Sequence, residues 1–70
     1  MIPTVGRMVH YFYCRQKDNK TVIAPAAATV TDVVDDTTVH LCVTYPNSMV
    51  FVENVQQGQS IGQWDWPQRV

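Results

Sequence analysis

The sequence predicts an all-β fold of five short antiparallel strands, and three observations lead to this prediction. β-Branched and aromatic residues recur in short runs along the chain, and several runs alternate apolar and polar residues. Clusters of turn-forming residues separate the runs. No stretch has the apolar period of an amphipathic helix, and no connection is long enough for a helical crossover. Strands of this kind pair through hairpins.

The first predicted strand runs from Val5 to Cys14 and is rich in β-forming residues. Its alternation places Val9, Tyr11 and Tyr13 on one face and Met8, His10, Phe12 and Cys14 on the other. Arg15 to Lys20 is polar, holds three of the five positive charges and includes the turn formers Asp18-Asn19. This segment is predicted to be an exposed loop.

A second strand is predicted from Ala26 to Val34. Its three consecutive alanines suit a helix by propensity, but the β-branched residues that follow favour a strand. Thr21 to Ala24 is predicted as a separate short extended piece, because Pro25 interrupts the run and restricts Ala24.

The clearest strand runs from Thr38 to Tyr45, after a turn at Asp35-Asp36. It alternates Val39, Leu41, Val43 and Tyr45 against Thr38, His40, Cys42 and Thr44, as a half-buried strand does. The remaining predicted segments are a tight connection at Pro46-Asn47-Ser48, a strand from Met49 to Glu53, a loop or helical turn from Glu53 to Ser60, and a last short strand from Gly62 to Trp66 stopped by Pro67.

Five short strands with a polar first loop, a central hairpin and a brief final strand match the plan of a small SH3-like barrel, which is favoured over an OB-like one. The 70 residues predict a single domain spanning 1–70, with a thin core. Such small scaffolds are often stabilised by oligomerisation.

The formal net charge is −1, with five Lys and Arg against six Asp and Glu. This balance gives no general attraction to duplex nucleic acid or to an anionic membrane. No apolar run is long enough to span a bilayer, and Met1 to Thr4 lacks the features of a signal peptide, so a cytosolic protein is expected.

Residues that carry chemistry are few. The two cysteines, Cys14 and Cys42, are expected to be free and partly buried thiols, since no secretion signal accompanies them. With His10 and His40 they lack the close spacing of a zinc site, so neither a metal nor a cofactor is expected. Ser48, Ser60, the Asp35-Asp36 pair and the two histidines form no recognisable catalytic arrangement, and the protein is not expected to be an enzyme.

The sequence favours a binding function over catalysis, because Trp64 and Trp66 lie two residues apart and share a face of the last strand. Their indoles either close the small core or form a surface on which a flat ligand or a partner stacks. If the first and last strands are neighbours, the aromatic patch lies beside Arg7 and possibly Arg69. Aromatic rings beside arginine suit nucleobases and phosphates. The predicted ligand-binding residues are Arg7, His10, Tyr11, Trp64 and Trp66.

The two ends of the chain carry motifs, Pro3-Thr4-Val5-Gly6-Arg7-Met8-Val9-His10-Tyr11 and Gly62-Gln63-Trp64-Asp65-Trp66-Pro67. With Ala26 to Thr31 and Val39-His40-Leu41 between them, they resemble a family of small tailed-phage proteins that open with Pro-Thr-x-Gly-Arg-x-Val-His-Tyr and close with Gly-x-Trp-x-Trp-Pro. Asp65 departs from the pattern, since relatives often have His between the tryptophans.

The resemblance implies a viral accessory protein made in the host bacterial cytoplasm. Small phage proteins of this type include sponges that sequester cyclic nucleotide signals of bacterial defence, so such a nucleotide is the expected ligand. Tyr11, Trp64 or Trp66 then stacks on a base, Arg7 meets a phosphate and His10 supplies a hydrogen bond, in a pocket completed between subunits of a homo-oligomer. The alternatives are a virion structural or assembly protein and an inhibitor directed at a host protein. The two end motifs are predicted to meet in space.

Overall fold

The computed structural model describes residues 2–67, which form one five-stranded antiparallel sheet. The strands are β1 (Met8–Lys17), β2 (Lys20–Val33), β3 (Thr38–Tyr45), β4 (Ser48–Gln56) and β5 (Trp64–Asp65). Their order across the sheet is β4-β3-β2-β1-β5, so four strands joined by hairpins are followed by a fifth that returns to β1. The described residues contain no helix. The all-β class with five antiparallel strands is confirmed.

The sheet is not closed into a barrel, so the SH3-like closure is not confirmed. Within the described chain, β-pairing between the two ends of the sheet is limited to an isolated parallel bridge between Gln57, which follows β4, and Trp64 of β5. Two further bonds brace this seam: Gly58 N donates to Trp64 O at 2.8 Å, and Gln57 N donates to Thr37 O at 2.9 Å.

One face of the sheet buries the hydrophobic core. Because side chains alternate along each strand, every second residue contributes. Among residues 2–67, nine hydrophobic residues form this buried core: Val9, Ala26, Ala28, Val30, Val39, Leu41, Val43, Val55 and Trp64. Half-buried Tyr11, Tyr13 and Tyr45 pack against this cluster. The predicted division of β1 and β3 into two faces is therefore confirmed, and we call the side with the core the core face and the other side the outer face.

The first hairpin is longer than the sequence predicts. β1 continues to Lys17 and β2 begins at Lys20, so the predicted loop from Arg15 to Lys20 is wrong except for its turn. Asp18 and Asn19 have φ values of 52° and 63°. Positive φ at both central residues is typical of the two-residue hairpin turn that matches strand twist. The polar residues of this hairpin form a solvated two-stranded ribbon.

Pro25 does not interrupt β2, which runs unbroken past it to Val33. Pro25 pairs with Phe12 of β1. Both backbone polar groups of Phe12 bond on the β5 side, the N–H to Gln63 O and the carbonyl to Gly62 N, each at 2.8 Å. Pro25 therefore faces Phe12 without hydrogen bonds, and its nitrogen points away from β1. Pairing with β3 starts only at Ala27, so no ladder bond is lost at the proline.

β4 extends past the predicted strand from Met49 to Glu53, which places a strand where the sequence predicts a loop or helical turn. A register shift between Val39 and Leu41 sets Glu53 and Asn54 opposite His40. Asn54 has φ 53° and donates its N–H to His40 Nδ1 at 3.0 Å. This bulge, pinned by His40, lets the strand continue to Gln56.

The predicted turn at Asp35-Asp36 is confirmed and is organised by one carboxylate. Asp35 Oδ1 accepts bonds from Thr37 N at 2.9 Å, Thr38 N at 2.8 Å and Thr37 Oγ1 at 3.2 Å. The bond from Thr37 N is the largest of the effects that together hold the pKa of Asp35 below its ordinary value. The predicted strand from Thr38 to Tyr45 and the connection at residues 46–47 are also confirmed.

Candidate functional site

The two end motifs meet in space, as predicted. β5 pairs antiparallel with β1, and its two residues set Asp65 opposite His10 and Trp64 opposite Tyr11. Gly62 brings the chain to this edge with φ 84°, a value that side chains rarely tolerate. The N-terminal and C-terminal motifs therefore build one corner of the sheet.

Trp64 belongs to the core. Its side chain is 0% exposed, and its indole Nε1–H donates to Thr37 O at 3.0 Å. A buried indole needs such a partner, and the bond ties β5 to the loop before β3. The sequence left Trp64 open between core and surface, and its burial leaves no ring face for a ligand.

Trp66 is half-buried and packs on Trp64 edge to face, with ring centroids 5.3 Å apart and planes at 83°. The guanidinium carbon of Arg7 lies 5.6 Å from the centroid of Trp66. This distance is within the range of a cation–π interaction. Arg7 and Trp66 therefore form the solvent-facing part of the aromatic patch.

The other predicted site residues divide between the two faces of the sheet. Tyr11 is half-buried on the core face, cross-strand from Trp64. His10 alternates with Tyr11 along β1 and lies on the outer face, opposite Asp65. Strand alternation therefore brings Arg7, Tyr11 and the two tryptophans to one face and keeps His10 on the other. Arg69 lies outside the described residues.

Asp65, which lies between the two tryptophans, holds the segment that precedes β5. Its Oδ1 accepts bonds from Gln57 Nε2 at 3.1 Å and Trp66 N at 2.8 Å, and its Oδ2 accepts one from Gln59 Nε2 at 3.1 Å. Partial burial raises the pKa of this carboxyl, but the three hydrogen bonds outweigh burial and the net pKa is lowered. Asp65 is therefore a structural clamp.

A cleft that the sequence did not predict lies where β3 ends and the first hairpin continues. Its volume is about 460 Å³. The rings of Tyr13 and Tyr45 lie 5.0 Å apart at 79°. Burial raises the pKa of Tyr45, and the nearby Tyr11 and Tyr13 hydroxyls raise it further. The lining residues are Tyr13, Arg15, Pro25, Ala26, Ala27, Thr44, Tyr45 and Pro46.

The residues that line this cleft come from separate segments of the sequence. Tyr13 and Tyr45 occupy inward positions of strands whose pairing was not predicted, so their contact depended on the register between three strands. A half-buried tyrosine pair at the end of a core marks a place where apolar rings reach solvent.

Both thiols are free, and Cys14 is exposed, whereas partial burial was expected; Cys42 is partly buried. Within residues 2–67, no group of three or more His, Cys, Asp or Glu side chains is arranged to hold a metal ion. Nor does that part of the chain contain a helix long and apolar enough to cross a membrane.

Comparison of the chain with known protein families, with curated proteins and with solved structures finds no match.

Proposed function

We propose that this protein is a binding protein without catalytic activity that sequesters a small nucleotide, and that the nucleotide is a cyclic signal of bacterial anti-phage defence. The observation that supports this proposal best is the Arg7 guanidinium beside the half-buried Trp66 ring. Nucleotides pair a flat π surface with an anionic phosphate, and an indole next to a guanidinium offers a partner for each.

In this proposal, the position of each residue determines which part of the nucleotide it contacts. Trp66 stacks on the base, since it is the tryptophan with exposed ring surface. Arg7 contacts a phosphate with its fork of N–H donors. Tyr11, on the same face, borders the base. Trp64 supports Trp66 from below through the edge-to-face contact. His10 takes no part, because it lies on the outer face.

A second copy of the chain completes the pocket. One indole and one guanidinium cover a single side of a nucleotide, whereas ligand sites enclose most of their ligand. Within residues 2–67, no strand pairs with the outer edge of β4, and Met49 and Phe51 on this strand are 61% and 72% exposed. No charged residue lies between Ser48 and Val52 to protect this edge. Antiparallel pairing of β4 with its counterpart gives a two-fold homo-oligomer.

In biological terms, we place this activity in a phage accessory protein acting in the host bacterial cytoplasm. Sequestration without turnover suits the described residues, where the candidate ligand contacts are rings and a guanidinium rather than an acid and base pair.

Titration calorimetry against a panel of cyclic di- and trinucleotides tests the proposal. We expect micromolar or tighter binding of at least one member and a loss of about 5- to 150-fold for Trp66→Ala, the range that corresponds to stacking on one base. Trp66→Phe keeps a stacking ring and retains most of the affinity. Ile23→Ala, at an exposed residue opposite Cys14 in the first hairpin, is the control. No heat from any panel member, with the sheet intact by circular dichroism, refutes the proposal.

A second candidate function is docking on a protein, either as a virion structural or assembly component or as an inhibitor of a host factor. One outer-face row crosses four strands, with Met8 paired to Thr29, Thr29 to Cys42, and Cys42 to Phe51. Met8 and Phe51, at the two ends of this row, are 59% and 72% exposed, and exposed apolar side chains on one face favour contact with a protein. Presence of the protein in purified particles favours the virion role, and capture of one host protein that depends on Phe51 favours inhibition.

A further inference from the structure

The first hairpin extends beyond the rest of the sheet. β2 pairs with β3 only from Ala27 onward, whereas β1 and β2 remain paired to Lys17 and Lys20. Residues 13–24 therefore form a two-stranded ribbon, which we call the arm. The cleft lined by Tyr13 and Tyr45, which we call the tyrosine cleft, lies where the arm joins the rest of the sheet. An isolated ribbon has little core to stabilise it, so its side chains are available for other roles.

Three cations share one face of the arm. Arg15 lies two residues after Tyr13 and lines the cleft with it on the core face. Lys17 follows by the same alternation, and Lys20 is directly opposite Lys17. Like charges opposite each other destabilise a strand pair. Both lysines are exposed, so an uncharged polar residue at either position would remove this repulsion without loss of packing. The fold therefore does not require the two charges.

The charge of the chain is divided unevenly. The arm holds three of the five Lys and Arg residues and a single acid, Asp18, which gives it a net charge of +2. The whole chain carries −1, so the residues outside the arm sum to −3. A local positive surface on a negative protein attracts a polyanion to one place and repels it elsewhere.

Aromatic rings complete this surface. The tyrosine cleft is an open depression of about 460 Å³ beside the packed rings of Tyr13 and Tyr45, and Arg15 forms part of its wall. Proteins that bind single-stranded nucleic acid combine a positive groove for the backbone with aromatic rings for the bases. From Tyr13 to Lys17 the strand spans about 13 Å, enough to follow a short stretch of backbone.

We propose that the core face of the arm binds single-stranded nucleic acid, with one base in the tyrosine cleft and phosphates on Arg15, Lys17 and Lys20. The centre of this site differs from that of the Arg7 and Trp66 patch, since Arg7 and Tyr13 lie six residues, about 20 Å, apart along the strand direction, and Tyr11 lies between the two centres on the same face. The base and phosphate chemistry is shared by free nucleotides, which are the other source of such a ligand.

Fluorescence anisotropy with a labelled oligothymidylate of about ten nucleotides tests the proposal, because sites on small β folds span about 4 to 16 nucleotides. Three phosphate contacts predict a slope of log affinity against log salt of about −2, or about a 20-fold loss between 50 and 200 mM salt. The triple variant Arg15→Gln, Lys17→Gln, Lys20→Gln removes both the binding and its salt dependence. All three side chains are exposed, so the variant folds, and circular dichroism checks this.

A charge-matched control separates the surface from net charge. The double variant Arg15→Gln, Gln16→Lys keeps the charge of the arm but moves one cation to the outer face. We expect it to bind as weakly as Arg15→Gln alone. Tyr13→Leu keeps apolar packing, removes the stacking ring and lowers affinity by about 5- to 150-fold.

Competition with excess ATP identifies the source of the ligand. Displacement of the oligonucleotide assigns the site to nucleotides in general, and persistence of the complex assigns it to the strand. Three results overturn the proposal: no anisotropy change at 50 mM salt, unchanged binding by the triple variant, or full binding by the charge-matched control. The calorimetry with cyclic nucleotides addresses a different ligand at a different site, so either proposal can fail alone.

Discussion

Replacing Trp64 by Phe tests whether this indole is the main support of the corner where β1 and β5 meet. Trp64 is fully buried and donates to Thr37 O. Phe fills part of the same space but loses the N–H donor, worth about 1 kcal/mol. It also loses two ring carbons, at about 0.8 kcal/mol for each buried carbon. The expected cost is about 2.5 kcal/mol.

This cost is large for so small a domain, because 70 residues correspond to a net stability of about 3.5 to 10 kcal/mol. The midpoint of thermal unfolding falls by about 10 to 20 °C. The carbonyl of Thr37 adds no penalty, since it also accepts the Gln57 N–H. Urea denaturation followed by far-ultraviolet circular dichroism measures the free energy of unfolding directly.

Trp66→Phe is the matched control at the neighbouring indole. Trp66 is half-buried, so Phe keeps most of its contact with Trp64 and the cost stays below about 1 kcal/mol. A Trp64→Phe protein within about 1 kcal/mol of the parent protein contradicts the assignment. So does a larger cost for Trp66→Phe than for Trp64→Phe.

Three further predictions follow from the clamp, the turn and the sheet edge. The pKa of Asp65 is lower in the folded protein than its unfolded value near 3.8, so the ionised carboxylate stabilises the fold above that pH. This stabilisation is lost as the pH falls through the lower folded pKa. Asp65→Asn therefore shows a smaller drop in melting temperature between pH 7 and pH 3 than the parent protein. An equal drop in both proteins contradicts this. Asp35→Ala removes three turn hydrogen bonds and lowers the melting temperature, whereas Asp36→Ala leaves it unchanged; equal effects refute the role of Asp35. If the edge of β4 forms the proposed interface between copies, Val50→Lys charges this edge and gives monomers in sedimentation; a monomeric parent protein rules out that interface.

Alternation along single strands made the core predictable. Val39, Leu41 and Val43 are completely buried, as the period of two in their strand indicates. The meeting of Tyr11 with Trp64 followed from the same logic applied to the first and last strands. These features depend on local sequence and on which strands are neighbours.

What the sequence did not predict depends on register and strand length. Pro25 does not interrupt β2 because its nitrogen points away from β1. Only the pairing of Pro25 with Phe12 determines this direction. The polar segment after Cys14 resembles a loop because a ribbon outside the core needs no apolar side chains. The tyrosine cleft exists because β3 stops at Tyr45 while the first hairpin continues. Each outcome was decided by residues distant in the sequence.

The pairing of β5 with β1 has a consequence for the order of folding. Strands β1 to β4 pair with sequence neighbours through hairpins, whereas β5 must find β1 across more than forty intervening residues. Such long-range contacts form after the entropy of closing the intervening chain has been lost. We therefore expect β5 to dock after the transition state. Weakening Trp64 then speeds unfolding and leaves the folding rate nearly unchanged, which makes this indole a determinant of how long the native state persists.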